Sequence, residues 1–212
     1  MDFFGIIIGL PILVFSAILH EIAHGYVADR LGDPTARLSG RLTLNPLKHI
    51  DPFLSVLLPA ILIISGSPII FGGAKPVPVD PYNLRDGRKD MALVSLAGPA
   101  TNVILAIVAA ILIHILRFIP LGTPGLFISL FLQLVATYNI ILAIFNLIPI
   151  PPLDGSKVFS LLLPEREATM YLSIGTIGIF ILFFLLTFPI AGFSLENLIT
   201  TLFLFSKNLL GI

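Results

Sequence analysis

The chain has 212 residues, of which 57% are apolar and 11% charged, and its mean hydropathy is +1.05. Soluble domains are about a quarter charged and under half apolar, so a water-soluble globule is excluded and most of the surface must meet lipid. Twelve basic and twelve acidic residues cancel, which removes the electrostatic case for a nucleic-acid partner, and the lack of cysteine excludes disulfides and thiolate metal sites.

Apolar runs occur at 3–27, 53–71, 91–119, 126–148 and 171–190, with a last one near 195–212. About 20 apolar residues cross a bilayer as a helix, the only open-chain form that satisfies its backbone groups there. The expected fold is therefore an all-α polytopic membrane protein of about five transmembrane helices in one domain, 1–212, with a core over 1–160 and C-terminal helices over 165–212. The first run begins Met1-Asp2, has no basic n-region and is followed by no small-residue cleavage site, so it reads as a retained helix rather than a signal peptide.

Inside this first helix lies His20-Glu21-Ile22-Ala23-His24. Ionisable groups in a membrane segment each cost about 2–3 kcal/mol on insertion scales, so three together need a compensating partner. Residues i and i+4 share one helix face, which lets His20 and His24 grip one metal ion. Glu21 is turned about 100° aside, within reach of a water at the metal's open position. Shuffling this composition would produce the pattern roughly once in a thousand chains. Two imidazoles with a carboxylate suit a single zinc ion.

The loop 28–52 carries Arg30, Arg37, Arg41 and Lys48, and the loop 72–90 carries Lys75, Arg85, Arg88 and Lys89; both are basic enough to be cytoplasmic. They flank the 53–71 run, where Pro59 and Ser65-Gly66-Ser67-Pro68 break the helical pattern, so a re-entrant segment is expected there. Short strands at the membrane boundary are expected near 36–44 and 73–80. The first helix then runs inward, 91–119 outward, 126–148 inward and 171–190 outward. The last run fits either a crossing or an interfacial helix.

A third protein ligand is required. Position 30 is Arg and no Glu occurs between Glu21 and Glu165, so the candidates are Asp29, Asp33, His49, Asp51 and Asp154. Asp154 has the best context. It follows Asn146-Leu147-Ile148-Pro149-Ile150-Pro151-Pro152-Leu153, where three prolines forbid a regular helix at membrane depth, and Gly155 behind it permits close approach. The topology also brings His24 and Asp154 to the same cytoplasmic depth. His49 with Asp51 is the runner-up, either as ligands or as supports of the ligands. Asn146 stands eight residues before Asp154, and its amide could donate to the oxyanion of a tetrahedral intermediate. Asn102 divides evenly between helix packing and a substrate-facing role.

These residues resemble the site-2 protease family of intramembrane zinc metalloproteases. The likeness rests on His20 to His24, on the string Asn146 to Gly155, and on Gly98-Pro99-Ala100-Thr101-Asn102, with Gly25 to Pro52 similar to the small bacterial branch. The resemblance implies zinc held by His20, His24 and Asp154, Glu21 as general base, and Asn146 as a positioning or oxyanion group. It implies an endopeptidase of a prokaryotic plasma membrane, its site toward the cytoplasm, acting on a membrane protein with a transmembrane helix. The chain has no room for the PDZ or CBS domains of larger members. A membrane zinc transporter or metal sensor using the same ligands is the alternative, in which Glu21 would have no role as a base.

Overall fold

The computed structural model describes residues 3–51, 57, 61, 64, 75–120, 122–190 and 192–212, the side chains of 3–7 excepted. Its helices are α1 (Phe3–Leu31), α2 (Thr35–Leu38), α3 (Gly87–Leu116), α4 (Gly122–Asn146), α5 (Asp154–Phe159), α6 (Glu165–Leu172), α7 (Ile177–Thr187) and α8 (Leu195–Leu210). Short 3-10 turns lie at Pro46–Lys48, Pro81–Asn83 and Ser160–Leu162.

α1, α3 and α4 contain the three stretches among the described residues that are long and apolar enough to cross a membrane, or four if the bent pair α6–α7 counts as one span. Only 22–39% of each stretch is buried, so apolar side chains cover the outside, as lipid requires. The three helices pack on one another through Ala106, Ala109, Ala110, Ala136 and Ala143, all almost fully buried. Small residues let helix backbones approach where no hydrophobic effect drives association. α3 runs antiparallel to α1, pairing Val94 with His24 and Asn102 with His20, while Ser16 of α1 meets Asn139 of α4.

The 171–190 run differs from the single helix expected. It holds only the last two residues of α6 and all of α7, and the two helices are bent by 78° at a turn where Gly175 takes φ +50°. α8 starts in a cluster of Leu195 with Ile148 and Leu182 and ends where Arg117 of α3 donates to the Gly211 carbonyl at 3.1 Å. It therefore lies along α4 over about 24 Å. The re-entrant expectation for 53–71 lies outside the described residues, apart from three isolated positions.

The boundary strands are corrected. Among the described residues there is no strand, only a bridge between Ile190 and Phe193. In 36–44 the chain forms α2 instead. Asp33 accepts from the Thr35 N–H and hydroxyl to start the turn. Gly40, at φ +61°, ends it, with Gly40 N–H on Arg37 O and Arg41 N–H on Ala36 O, the Schellman pattern. Residues 75–80 are extended but form no ladder, because Pro76 and Pro78 have no N–H to give. The N–H of Lys75 goes to His49 O (2.8 Å), that of Val77 to Glu21 (2.8 Å) and that of Asp80 to Asp33 (2.7 Å). Arg41 donates to the carbonyls of Lys75 and Pro76. Positions 73 and 74 lie outside the described residues.

Asp33 fastens this strap. It is fully buried, and besides Thr35 and Asp80 it accepts from Asn83 Nδ2 at 3.0 Å. Burial alone would raise its pKa, but the hydrogen bonds from Thr35, Asn83 and Asp80 outweigh it and hold the carboxyl below its usual value. A depressed folded-state pKa contributes stability that is complete above the unfolded value of about 3.9 and is lost as pH falls through the folded one. Asp33→Asn turns an amide N–H₂ toward a backbone N–H and should lower stability at pH 7 by about 1–3 kcal/mol. Thermal melts in detergent should also show a weaker acid dependence below about pH 4 than in the wild type.

Candidate metal centre

His20 and His24 stand one turn apart on α1 with ring centroids 4.6 Å apart. Asp154, 134 residues from His20, places Oδ2 at 3.1 Å from His20 Nε2 and 3.1 Å from His24 Nε2. His20, His24 and Asp154 are 6%, 8% and 7% exposed. Separations of this size approach the roughly 3.4 Å edge of a tetrahedron with bonds of about 2.1 Å, the geometry of zinc on imidazole and carboxylate. Ligand atoms of His20, Glu21 and His24 also lie within 4.8 Å of one another. The donor set therefore fits zinc, with Glu21 beside it.

Asp154 reaches this point because its chain folds back. After α4 the string 147–153 turns through Ile150 N–H on Ile148 O and Leu153 N–H on Ile150 O, and Asp154 opens α5. A Cβ on Gly155 would sit 2.2 Å from Leu147 O, so only glycine allows the fold-back. The other carboxylate oxygen, Oδ1, accepts from Lys157 Nζ at 3.2 Å, one helical turn on. At the far end of this segment Arg88 of α3 donates to the carbonyls of Ser160 and Leu163, both at 2.9 Å.

α3 forms the back wall. His24 Nδ1 lies 2.7 Å from Val94 O; a carbonyl only accepts, so Nδ1 carries the proton and Nε2 keeps its lone pair for a metal. Pro99 has no N–H for the neighbouring Ser95 carbonyl. His20 Nδ1 lies 2.6 Å from Asn102 Oδ1. A Cβ on Gly98 would stand 2.5 Å from His20 Nε2 and 2.6 Å from His24 Cε1, so a bare backbone at 98 makes the space in which the rings meet.

The other expected site residues lie as follows. Glu21 accepts from Val77 N–H through Oε2. Asn146 is half-buried and donates to Leu142 O on its own helix at 2.9 Å. Asn102 is fully buried, its N–H₂ donating to Asn139 Oδ1 at 2.8 Å, so it stands behind the His20 ring with no face open to substrate. His49 is buried with Nε2 donating to Thr43 O, and its carbonyl holds the strap. The His20–Glu21–His24 group contains neither His49 nor Asp51, and Asp154 joins it only through the two 3.1 Å contacts described above. Asp29 pairs with Arg37 at 3.1 Å. Sequence reasoning did not identify Asn139, Ser16, Val77 N–H, Lys157 or the space left by Gly98. Asn139 carried a legible signal, an amide within an apolar span; the backbone donor and the empty space carried none.

Comparison with known proteins gives the family. The family model described as "Peptidase family M50" matches residues 122–189. The protein named "Putative zinc metalloprotease YwhC" of Bacillus subtilis (strain 168) is 36% identical over 190 residues, covering 86% of this chain and 81% of that protein. The chain belongs to peptidase family M50, the site-2 proteases. "Putative zinc metalloprotease Rip2" of Mycolicibacterium smegmatis is 37% identical over 158 residues, covering 70% of this chain and 56% of that protein. No solved structure matches. The family favours an intramembrane zinc protease and not the transporter or sensor.

Because the cage depends on a missing side chain, Gly98→Ala should weaken zinc binding about tenfold or more while the metal-free protein still folds. Chelator competition, read alongside a thermal melt of the metal-free protein, checks both parts.

Proposed function

We propose that this M50 member is an endopeptidase that hydrolyses a peptide bond in or near the transmembrane segment of another membrane protein, with one zinc ion held by His20 Nε2, His24 Nε2 and Asp154 Oδ2. The observation that carries the reading is the single carboxylate oxygen equidistant from two imidazole nitrogens, with a glutamate one residue along the helix. A bound zinc supplies Lewis acidity, polarising a carbonyl and making a water easier to deprotonate near neutral pH.

The chain's own groups do the rest. Glu21 is the base that takes the proton from the attacking water and returns it to the leaving amine nitrogen. Its Oε2 is held by Val77 N–H, which leaves Oε1 for that exchange. Asn146, at the end of α4, donates to the developing oxyanion once it releases Leu142 O. Asn102 keeps the His20 ring in place. The centre lies 7 to 11 residues before the end of α1, about 10–16 Å from it, and hydrolysis requires water to reach it there. That end of the bundle carries the basic segments 28–51 and 75–90, which supports a cytoplasmic-side site, and the bacterial relatives support a prokaryotic plasma membrane.

Glu21→Gln should slow cleavage of a transmembrane substrate by about 10²–10⁴-fold while zinc stays bound, as metal analysis of the purified protein would show. Equal cleavage by both forms would remove Glu21 from the mechanism. Asp154→Ala should lose zinc where His49→Ala retains it; undiminished metal in the Asp154 variant would overturn the third ligand.

A further inference from the structure

Behind His20 a line of polar groups crosses all three long helices. Asn102 Oδ1 meets His20 Nδ1 (2.6 Å), Asn102 Nδ2 donates to Asn139 Oδ1 (2.8 Å), and Asn139 Nδ2 donates to Ser16 Oγ (2.9 Å) and to Val135 O (2.8 Å). Both asparagines are fully buried and Ser16 is nearly so. The line has a direction, and one backbone atom sets it. Val135 O can only accept, so the N–H₂ of Asn139 must face it and the oxygen of Asn139 must face Asn102. That oxygen demands a donor, so Asn102 turns its N–H₂ there and offers Oδ1 to His20. An acceptor facing Nδ1 requires the proton on Nδ1, which leaves the Nε2 lone pair toward Asp154.

We propose that Asn139 is a positioning residue for the metal centre: through Asn102 it transmits the orientation of the Val135 carbonyl to His20 and selects the ring tautomer that ligates through Nε2. The proposal rests on the zinc reading above. His24 receives the same instruction from Val94 O without an intermediary; His20 lies a turn deeper and receives it through two amides. In an apolar surround a reversed amide would set N–H against N–H, and each buried polar group left unpaired is penalised. The orientation is therefore held along the whole line.

The test is zinc affinity by chelator competition for the wild type, Asn102→Ala, Asn139→Ala and the double variant, with thermal melts of the metal-free proteins. Asn139→Ala should weaken zinc binding about tenfold or more, and the double variant should bind no more weakly than Asn102→Ala alone, because Asn139 acts only through Asn102. A merely structural role would give losses that add. Wild-type affinity in Asn139→Ala, or additive losses, overturns the proposal. The ¹⁵N spectrum of histidine-labelled, zinc-loaded wild-type protein decides it without any variant: His20 should show a protonated Nδ1 and a metal-bound Nε2, and zinc on Nδ1 overturns it. Zinc binding by the wild type that is lost in His24→Ala would keep the ligand assignment standing even if Asn139 proves irrelevant; a wild type that holds no zinc overturns both.

Discussion

Everything in the bundle is arranged around one carboxylate oxygen that must stand between two imidazoles in an apolar surround. Asp154 Oδ2 is 3.1 Å from His20 Nε2 and from His24 Nε2, and nothing at this depth tolerates an unmatched polar group. The demand propagates outward. Each imidazole needs an acceptor on its other nitrogen, supplied by Val94 O and Asn102 Oδ1. The second carboxylate oxygen takes Lys157. Asn102 in turn needs Asn139, and Asn139 needs Ser16 and Val135 O. These polar groups between the long helices thus form one connected line, closed by a backbone carbonyl.

Steric requirements follow from the same constraint. The two rings fit against α3 only because position 98 has no side chain, and Asp154 turns back toward them only because position 155 has none. The alanines between α1, α3 and α4 bring the helices close enough for short asparagine side chains to bridge them. On the side of the basic loops, the strap 75–80 holds Glu21 through Val77 N–H, and is itself held by Arg41, His49 and Asp33. Glu21 and the imidazole–carboxylate cluster therefore have separate supports. His20, His24 and Asp154 lean on α3 and α5, and Glu21 leans on the segment 75–80.

Legibility of the sequence varied with the range of the interaction involved. The membrane class followed from composition, and the helical spans of α1, α3 and α4 from runs of apolar residues long enough to satisfy their own backbones. The i, i+4 histidines needed only helical periodicity. The segments 36–44 and 73–80 were read as strands, and the outcome shows why local pattern failed there. Asp33-Pro34-Thr35 and Ser39-Gly40 are the start and stop of a short helix, a local signal that the extended reading passed over. Pro76 and Pro78 impose an extended backbone but remove the donors a ladder needs, so extension there does not mean a strand.

By itself the sequence determined that the chain is helical in lipid, that His20, Glu21 and His24 share a turn, and that 147–153 cannot be helix; each is a property of neighbours along the chain. Asp154 could be ranked first among five candidates, since loop chemistry and topology both pointed to it. Only the tertiary structure decided that Asp154 Oδ2 meets both rings, that Asn102 supports His20 from behind, and that Asn139, Ser16 and Val77 N–H belong to the same construction. Those contacts join residues 37 to 134 positions apart. Separations of that length are closed by helix packing, and packing depends on side-chain volumes and missing Cβ atoms that no local pattern records.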